Sequence, residues 1–194
     1  MLKNTVIVGL GHRARYGKDT VAKLLHASAP FDTKVYSFAA ALKTFCRVNG
    51  WMTSKDGPLL QRVGTEVFRE CVDPELWVRV LELEIGEDAP RVAIIPDMRF
   101  KNEKRFVEQR GLSVRIERRL ADGSLYVDPS RPATHKSEID LAGESFDYSF
   151  TASDGGLPTL YEAAKTLRSA LISKNSLPDE TLDERLRAEG FIVA

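Results

Sequence analysis

The stretch from Thr5 to Ala22, TVIVGLGHRARYGKDTVA, constrains this chain more than any other. Val6, Ile7 and Val8 form an apolar run that reads as a buried strand. Gly9, Gly11 and Gly17 mark a glycine-rich loop. Lys18-Asp19-Thr20 then opens an amphipathic segment with Val21, Leu24 and Leu25 on one face. Strand, glycine-rich turn, lysine and helix, in that order, form the layout of a phosphate-binding loop. Glycines let backbone N–H groups turn inward around an anion, and the start of the helix adds unpaired donors and a partial positive charge. Lys18 is then placed to reach the β- and γ-phosphates of a nucleoside triphosphate, and Arg13 and Arg15 add positive charge from the same loop. The spacing departs from G-x-x-x-x-G-K-[ST]. His12 stands where the first glycine belongs, with Gly11 one place earlier. Asp19 stands where Ser or Thr would meet Mg²⁺, and Thr20 follows it. The competing reading is an ordinary glycine-rich strand-to-helix turn.

With 194 residues the chain suits one domain with a sizeable core. Its 28 basic residues balance 28 acidic ones, which disfavours a protein that coats nucleic acid or a membrane surface. The two cysteines, Cys46 and Cys71, lack metal-like spacing and fall in helical patterns. They read as reduced, buried thiols of a cytoplasmic protein. Met1 to Asn4 lead straight into the first strand, so no secretory leader is expected. No apolar stretch approaches the roughly 18 residues that span a bilayer.

Apolar strands and helices alternate along the rest of the chain. Helices are expected over about 18–26, 39–48, 59–68 (interrupted near Gly64), from Asp73-Pro74-Glu75 to Ile85, over 101–109, 135–141 and 157–172. Strands are expected over 34–38, 91–96, 112–117 and 146–151. Residues 118–132 carry glycine, prolines and charges and read as a mobile excursion. Strands apolar throughout and alternating with helices imply a parallel sheet covered on both faces. Ligands bind such sheets at the carboxyl ends of the strands. That gathers 9–20, 37–43, 97–103, the chain from Arg118 and 152–156 around one crevice.

Three further groups of residues bear on chemistry. Asp97 and Arg99 end the strand VAIIP. An acidic residue there commonly holds Mg²⁺ beside a phosphate loop, and an arginine suits a bidentate hold on phosphate. Alternatively Asp97 caps the following helix and Arg99 pairs with Glu103. Gln61, Thr65 and Arg69 recur every four residues and form one polar stripe on a helix. Arg69 suits an acceptor phosphate, Gln61 and Thr65 a base or sugar, and Gly64 would allow close approach of a ligand; a solvated helix face is the alternative. Trp77 reads as core. Finally, Arg115, Arg118 and Arg119 flank the excursion, as arginines of a closing lid would. Alternatively Arg115 and Arg119 are solvated or pair with Glu117. His135 reads as a cap or hydrogen-bonding residue.

The motifs GHRARYGKDTVA, YSFAAALK, LQRVGTEVFRE with DPELWV, IIPDMRFKNE, RIERR, THKSE, and FDYSF followed by DGG occur in this order. Together they resemble the phage-type deoxynucleoside monophosphate kinases of the P-loop nucleotide kinase superfamily. The likeness runs over about residues 5–172, and GKDT looks like that family's own variant. The resemblance implies a three-layer α/β fold with a central parallel sheet of about five strands. It implies one kinase domain over 1–173, with a lid over about 118–135, and a polar appendage over 174–194. It also implies transfer of the ATP γ-phosphoryl group to a small-molecule dNMP, with Mg²⁺, in the host cytoplasm. Gly17, Lys18, Asp19 and Thr20 would bind ATP phosphates and metal, with Asp97 also on the metal. Ser37, Phe38 and Lys43 would lie along the acceptor site, which Gln61, Thr65 and Arg69 contact. Asp97 and Arg99 would sit beside the acceptor phosphate. Arg15 and Arg118 would belong to the ATP and lid side, and Asp154-Gly155 would lie near the ATP base. Catalysis would fall to Lys18, Asp97, Arg99 and Arg118. A hydroxymethylated base in DNA is the other acceptor considered, and a regulator that holds ATP without transferring phosphate is the reading from another class. Dimerisation is left open.

Overall fold

The computed structural model describes residues 5–54, 56–153 and 156–175. Five strands form one sheet in the order β2-β3-β1-β4-β5, where β1 is Val6–Gly11, β2 Thr33–Val35, β3 Val92–Met98, β4 Gly111–Arg119 and β5 Tyr148–Ser153. Every pairing is parallel. The helices are α1 (Lys18–Ser28), α2 (Ala40–Val48), α3 (Gly57–Gln61), α4 (Leu76–Asp88), α5 (Lys101–Glu108), α6 (Lys136–Ile139) and α7 (Leu157–Asn175). Between α3 and α4 the chain winds as a π-helix over Arg62–Arg69.

Strand alternation explains the layers. Val8 and Leu10 point to one face of β1, where they pack with Ile94, Val114 and Ile116 against Val21 and Leu25 of α1 and Leu167 and Leu171 of α7. Ile7 points to the other face and joins Ala93, Ile95, Phe106 and Val107, with Leu81 and Ile85 of α4. Two buried faces require the continuous apolar runs seen in β1 and β3. The expectation that every strand is apolar throughout fails at the edges. β2 is largely exposed and β5 alternates, because each has a neighbour on one side only.

Other boundaries also shift. β2 ends at Val35 rather than Phe38, since the backbone of Phe38 and Ala39 turns to hydrogen-bond Asp97. β4 runs on through Arg118 and Arg119, paired with Ala152 and Ser153 of β5, so both arginines stand on the strand end. The helix expected over 59–68 starts at Gly57, where Asp56 caps it by accepting from Leu59 N–H at 2.9 Å. It is not interrupted at Gly64 but widened into π geometry. A Cβ at Gly64 would stand 2.5 Å from Leu42 Cδ2, so close packing against Leu42 calls for glycine here. Cys46 is buried as expected, whereas Cys71 is exposed. The expected polar appendage over 174–194 lies outside the described residues apart from the end of α7. No helix among the described residues is long and apolar enough to cross a membrane.

Candidate active site

The loop from His12 to Gly17 joins β1 to α1 at the carboxyl edge of the sheet. The β1–β3 register slips between Gly9 and Gly11 and turns the strand end into the loop. His12 has φ +86°, a conformation that favours glycine, so the imidazole-bearing residue occupies the backbone position the usual motif gives to glycine. Gly17 has φ +88°, and a Cβ there would lie 2.6 Å from Leu160 Cδ1. Its carbonyl accepts from Thr20 N–H at 3.0 Å and Val21 N–H at 3.1 Å, which starts α1.

Lys18 is only 4% exposed, and its Nζ donates to the Arg13 carbonyl. Burial, and then the Arg99 charge, hold its pKa well below the usual lysine value. His12 is pushed down to about 4 by burial, with Arg115, Arg13, Lys18 and Arg99 adding to the effect. Its Nδ1 lies 4.0 Å from Glu117 and is buried without a hydrogen bond. Arg15 Nε donates to Asp128 at 3.0 Å, Tyr16 Oη donates to the Tyr126 carbonyl at 2.8 Å, and Arg118 Nη1 donates to the Arg15 carbonyl at 3.5 Å. The Arg118 guanidinium stacks 4.2 Å from the Tyr126 ring centre. The expected lid segment is thus pinned against the β1–α1 loop. Asp19 is exposed and Thr20 half-buried at the start of α1.

Asp97 is neither a cap of α5 nor unpartnered. Its Oδ1 accepts from Phe38 N–H at 2.9 Å, and its Oδ2 accepts from Ser37 Oγ at 2.5 Å and Ala39 N–H at 3.1 Å. Lys43 Nζ donates to Ser37 Oγ at 3.4 Å, so Ser37, Phe38 and Lys43 form one group with Asp97. The start of α5 is closed by Glu103, whose Oε2 accepts from Arg99 N–H at 2.6 Å and Phe100 N–H at 3.1 Å. The Arg99 side chain does not pair with Glu103. It turns to Glu138, 3.4 Å from each carboxylate oxygen.

Arg69 is not on a solvated face. It is 9% exposed, donates through Nη2 to Glu103 Oε1 and through Nη1 to the Pro74 carbonyl at 3.1 Å, and stacks 4.1 Å from the Phe100 ring centre. Burial outweighs Arg69 and lifts the Glu103 carboxyl to about 7. Gln61 Nε2 donates to Ser137 Oγ at 3.0 Å, and Thr65 is buried. Trp77 is core, as expected, and donates to the Gly64 carbonyl at 3.0 Å.

A cavity of about 1010 Å³ unites these groups. Gly17, Lys18, Asp19 and Arg15 line it, as do Ser37, Phe38, Lys43, Gln61, Thr65, Arg69, Asp97 and Arg99. Neither Thr20 nor Arg118 lines it. Arg115 is not a lid residue: it donates to the Leu141 and Glu144 carbonyls at 3.1 and 2.7 Å and stacks on Phe146. Arg119 lies 3.5 Å from Glu117 and donates to the Gly123 carbonyl at 2.8 Å. His135 caps α6, accepting from Ser137 N–H at 3.1 Å. Asp154 and Gly155 lie outside the described residues. Sequence reasoning assigned no role to Arg131, which lines the cavity, or to its acidic partner Glu138, and it offered Glu103 to Arg99 rather than to Arg69. The one local signal for Glu138 was its place in THKSE.

No family model matches the chain. A stretch of 45 residues is 49% identical to the deoxynucleoside-5′-monophosphate kinase of Escherichia phage T5, covering 23% of this chain and 18% of that protein's length. Among solved structures, shikimate kinase from Aquifex aeolicus aligns with a TM-score of 0.49 at 16% identity, covering 89% of this chain and 100% of that one. A sugar kinase from Janibacter aligns with a TM-score of 0.49 at 15% identity, over 84% of this chain and 94% of that one. The chain is therefore similar, over one short stretch, to a phage deoxynucleoside-5′-monophosphate kinase, and its glycine-containing β1–α1 loop stands at the edge of a five-stranded parallel sheet.

Proposed function

We propose that the chain is an ATP-dependent kinase that transfers the γ-phosphoryl group to the phosphate of a deoxynucleoside 5′-monophosphate, giving ADP and a dNDP. The observation that carries this reading is the shared cavity: Lys18 of the phosphate loop and Arg69 of the π-helix line the same space, with Asp97 and Arg99 also on its wall. The phosphate loop grips the triphosphate, and the Arg69 end takes the smaller phosphate. The short similarity to a phage deoxynucleoside monophosphate kinase supports the choice of acceptor.

Phosphoryl transfer asks for alignment and charge stabilisation more than for proton abstraction. Loop N–H groups and Lys18 hold the β- and γ-phosphates. An anion beside Lys18 favours its charged form, against the burial that lowers its pKa. An acceptor phosphate oxygen attacks the γ-phosphorus in line, and the bond to the bridging oxygen breaks, leaving ADP. Asp97 fastens the Ser37–Ala39 turn that borders the acceptor. Burial of Phe38, Trp77 and Phe100 excludes water.

The donor set suits Mg²⁺. Among the described residues no cluster of three or more His, Cys, Asp or Glu could cage a metal. Mg²⁺ is usually held by one or two protein oxygens, waters and substrate phosphates. Of the three side chains expected on the metal, Asp19 and Asp97 line the cavity and would hold it, whereas Thr20 does not line it; the ion would supply charge neutralisation on the phosphates.

A DNA-base acceptor would want an unneutralised basic groove. Here Lys101 pairs with Glu144 at 2.9 Å, Lys104 with Glu108 at 2.5 Å, and Arg69 with Glu103, which favours the small acceptor. The test mixes protein, ATP and Mg²⁺ with each common dNMP or with hydroxymethyluracil-containing DNA and follows ADP. ADP formed only with a dNMP supports the proposal. ADP formed only with the DNA replaces the acceptor, and ATP binding without turnover on any acceptor removes the kinase reading.

A further inference from the structure

Glu138 sits where three parts of the fold meet. It is 6% exposed and lies on α6, at the end of the lid segment. Its Oε2 accepts from Ala14 N–H of the phosphate loop at 3.1 Å. Arg99 Nη1, from the end of β3, is 3.4 Å from both oxygens, and Arg131 Nη1, from the lid, is 3.4 Å from Oε1. Ala14, Arg99 and Arg131 all line the cavity, whereas Glu138 does not. The carboxylate therefore stands behind the two guanidinium groups and can act on the cavity only through them.

We propose that Glu138 is a positioning residue that aims Arg99 and Arg131 at the transferred phosphoryl group; this rests on the kinase reading. Each guanidinium has five N–H donors, so one spent on Glu138 leaves others for phosphate. A buried carboxylate shared by two arginines fixes their separation and direction before any ligand arrives, which removes reorganisation from the transfer step. Electrostatics point the same way. Burial lowers the Arg99 pKa, and Glu138 is the foremost charge opposing that effect; the same carboxylate also supports the charge on Lys18. Without it, Lys18, Arg99 and Arg131 repel one another in a poorly solvated space. Arg131 is steered further by Asp128 at 3.4 Å and by Gly57, where a Cβ would stand 2.9 Å from its Nη2.

The test compares full-length wild type, Glu138→Gln and Glu138→Asp with ATP and the accepted dNMP. Glutamine keeps the length and one acceptor for Ala14 N–H but turns an amide donor toward a guanidinium. The expected result is a kcat about 100-fold lower for Glu138→Gln. Both KM values should stay within about threefold of wild type, and Glu138→Asp should recover kcat by about tenfold. Arg131→Ala combined with either Glu138 variant should be non-additive, because Glu138 acts through Arg131. Should Glu138→Gln fail to fold, Glu138→Asp carries the same cycle. A Glu138→Gln kcat within about threefold of wild type, tighter ATP binding (a carboxylate that merely fills an anion's place) or strict additivity overturns the proposal. Absence of wild-type turnover on any acceptor removes the kinase reading and the proposal together, while turnover indifferent to Glu138→Gln removes the proposal alone.

Discussion

Arg69 Nη2 donates to Glu103 Oε1, and both residues are buried in the wall of the cavity. Glu103 Oε2 holds the N–H groups of Arg99 and Phe100. One carboxylate thus connects the arginine of the π-helix to the end of β3.

Breaking that pair exposes its cost. Arg69→Ala leaves Glu103 buried without its charged partner and should lower unfolding free energy by about 3 kcal/mol, measured by urea titration. In the same variant the acceptor KM or kcat should change far more than the ATP KM. Equal effects on both substrates would count against the acceptor role of Arg69.

The raised Glu103 pKa has a defined sign. Between its ordinary value of 4.5 and its folded value of about 7, the folded chain binds a proton that the unfolded chain has released. This group's contribution to stability therefore falls as pH rises through that window. Glu103→Gln removes the dependence, so wild type should lose stability relative to the variant from pH 4.5 to pH 7. Urea midpoints at several pH values check this, and a constant difference refutes it.

His12 acts in the opposite sense. Its folded value of about 4 lies below the ordinary 6.5, so the unfolded chain binds the extra proton in between. The stability this contributes is present above pH 6.5 and is lost as pH falls toward 4. Asparagine tolerates positive φ, so His12→Asn should fold and show a shallower acid-side loss by thermal melts.

Lys18→Ala should reduce turnover by about 10³-fold, since it deletes the cation at the transferred phosphate. Its side chain donates to the Arg13 carbonyl of the same loop, so near-UV circular dichroism should be unchanged. Near-normal rates would remove Lys18 from the phosphate cradle.

Sequence alone determined the features set by local patterning. The apolar run of β1, the glycine-rich loop with Lys18, the strand VAIIP and the alternation of strands with helices follow from periodicity and backbone chemistry a few residues long. The parallel pairing with covering layers came with them, while the strand order did not. Tertiary structure decided which polar groups meet. Asp97 fastens the Ser37–Ala39 turn, Glu103 reaches back to Arg69, and Glu138 joins Ala14, Arg99 and Arg131. The π-helix over Arg62–Arg69 likewise meets distant residues, with Gly64 set against Leu42 and its carbonyl accepting from Trp77. No local period encodes such contacts. Partners tens of residues apart in the chain are chosen by burial, because a charge removed from water must find its counter-charge wherever the fold has brought one.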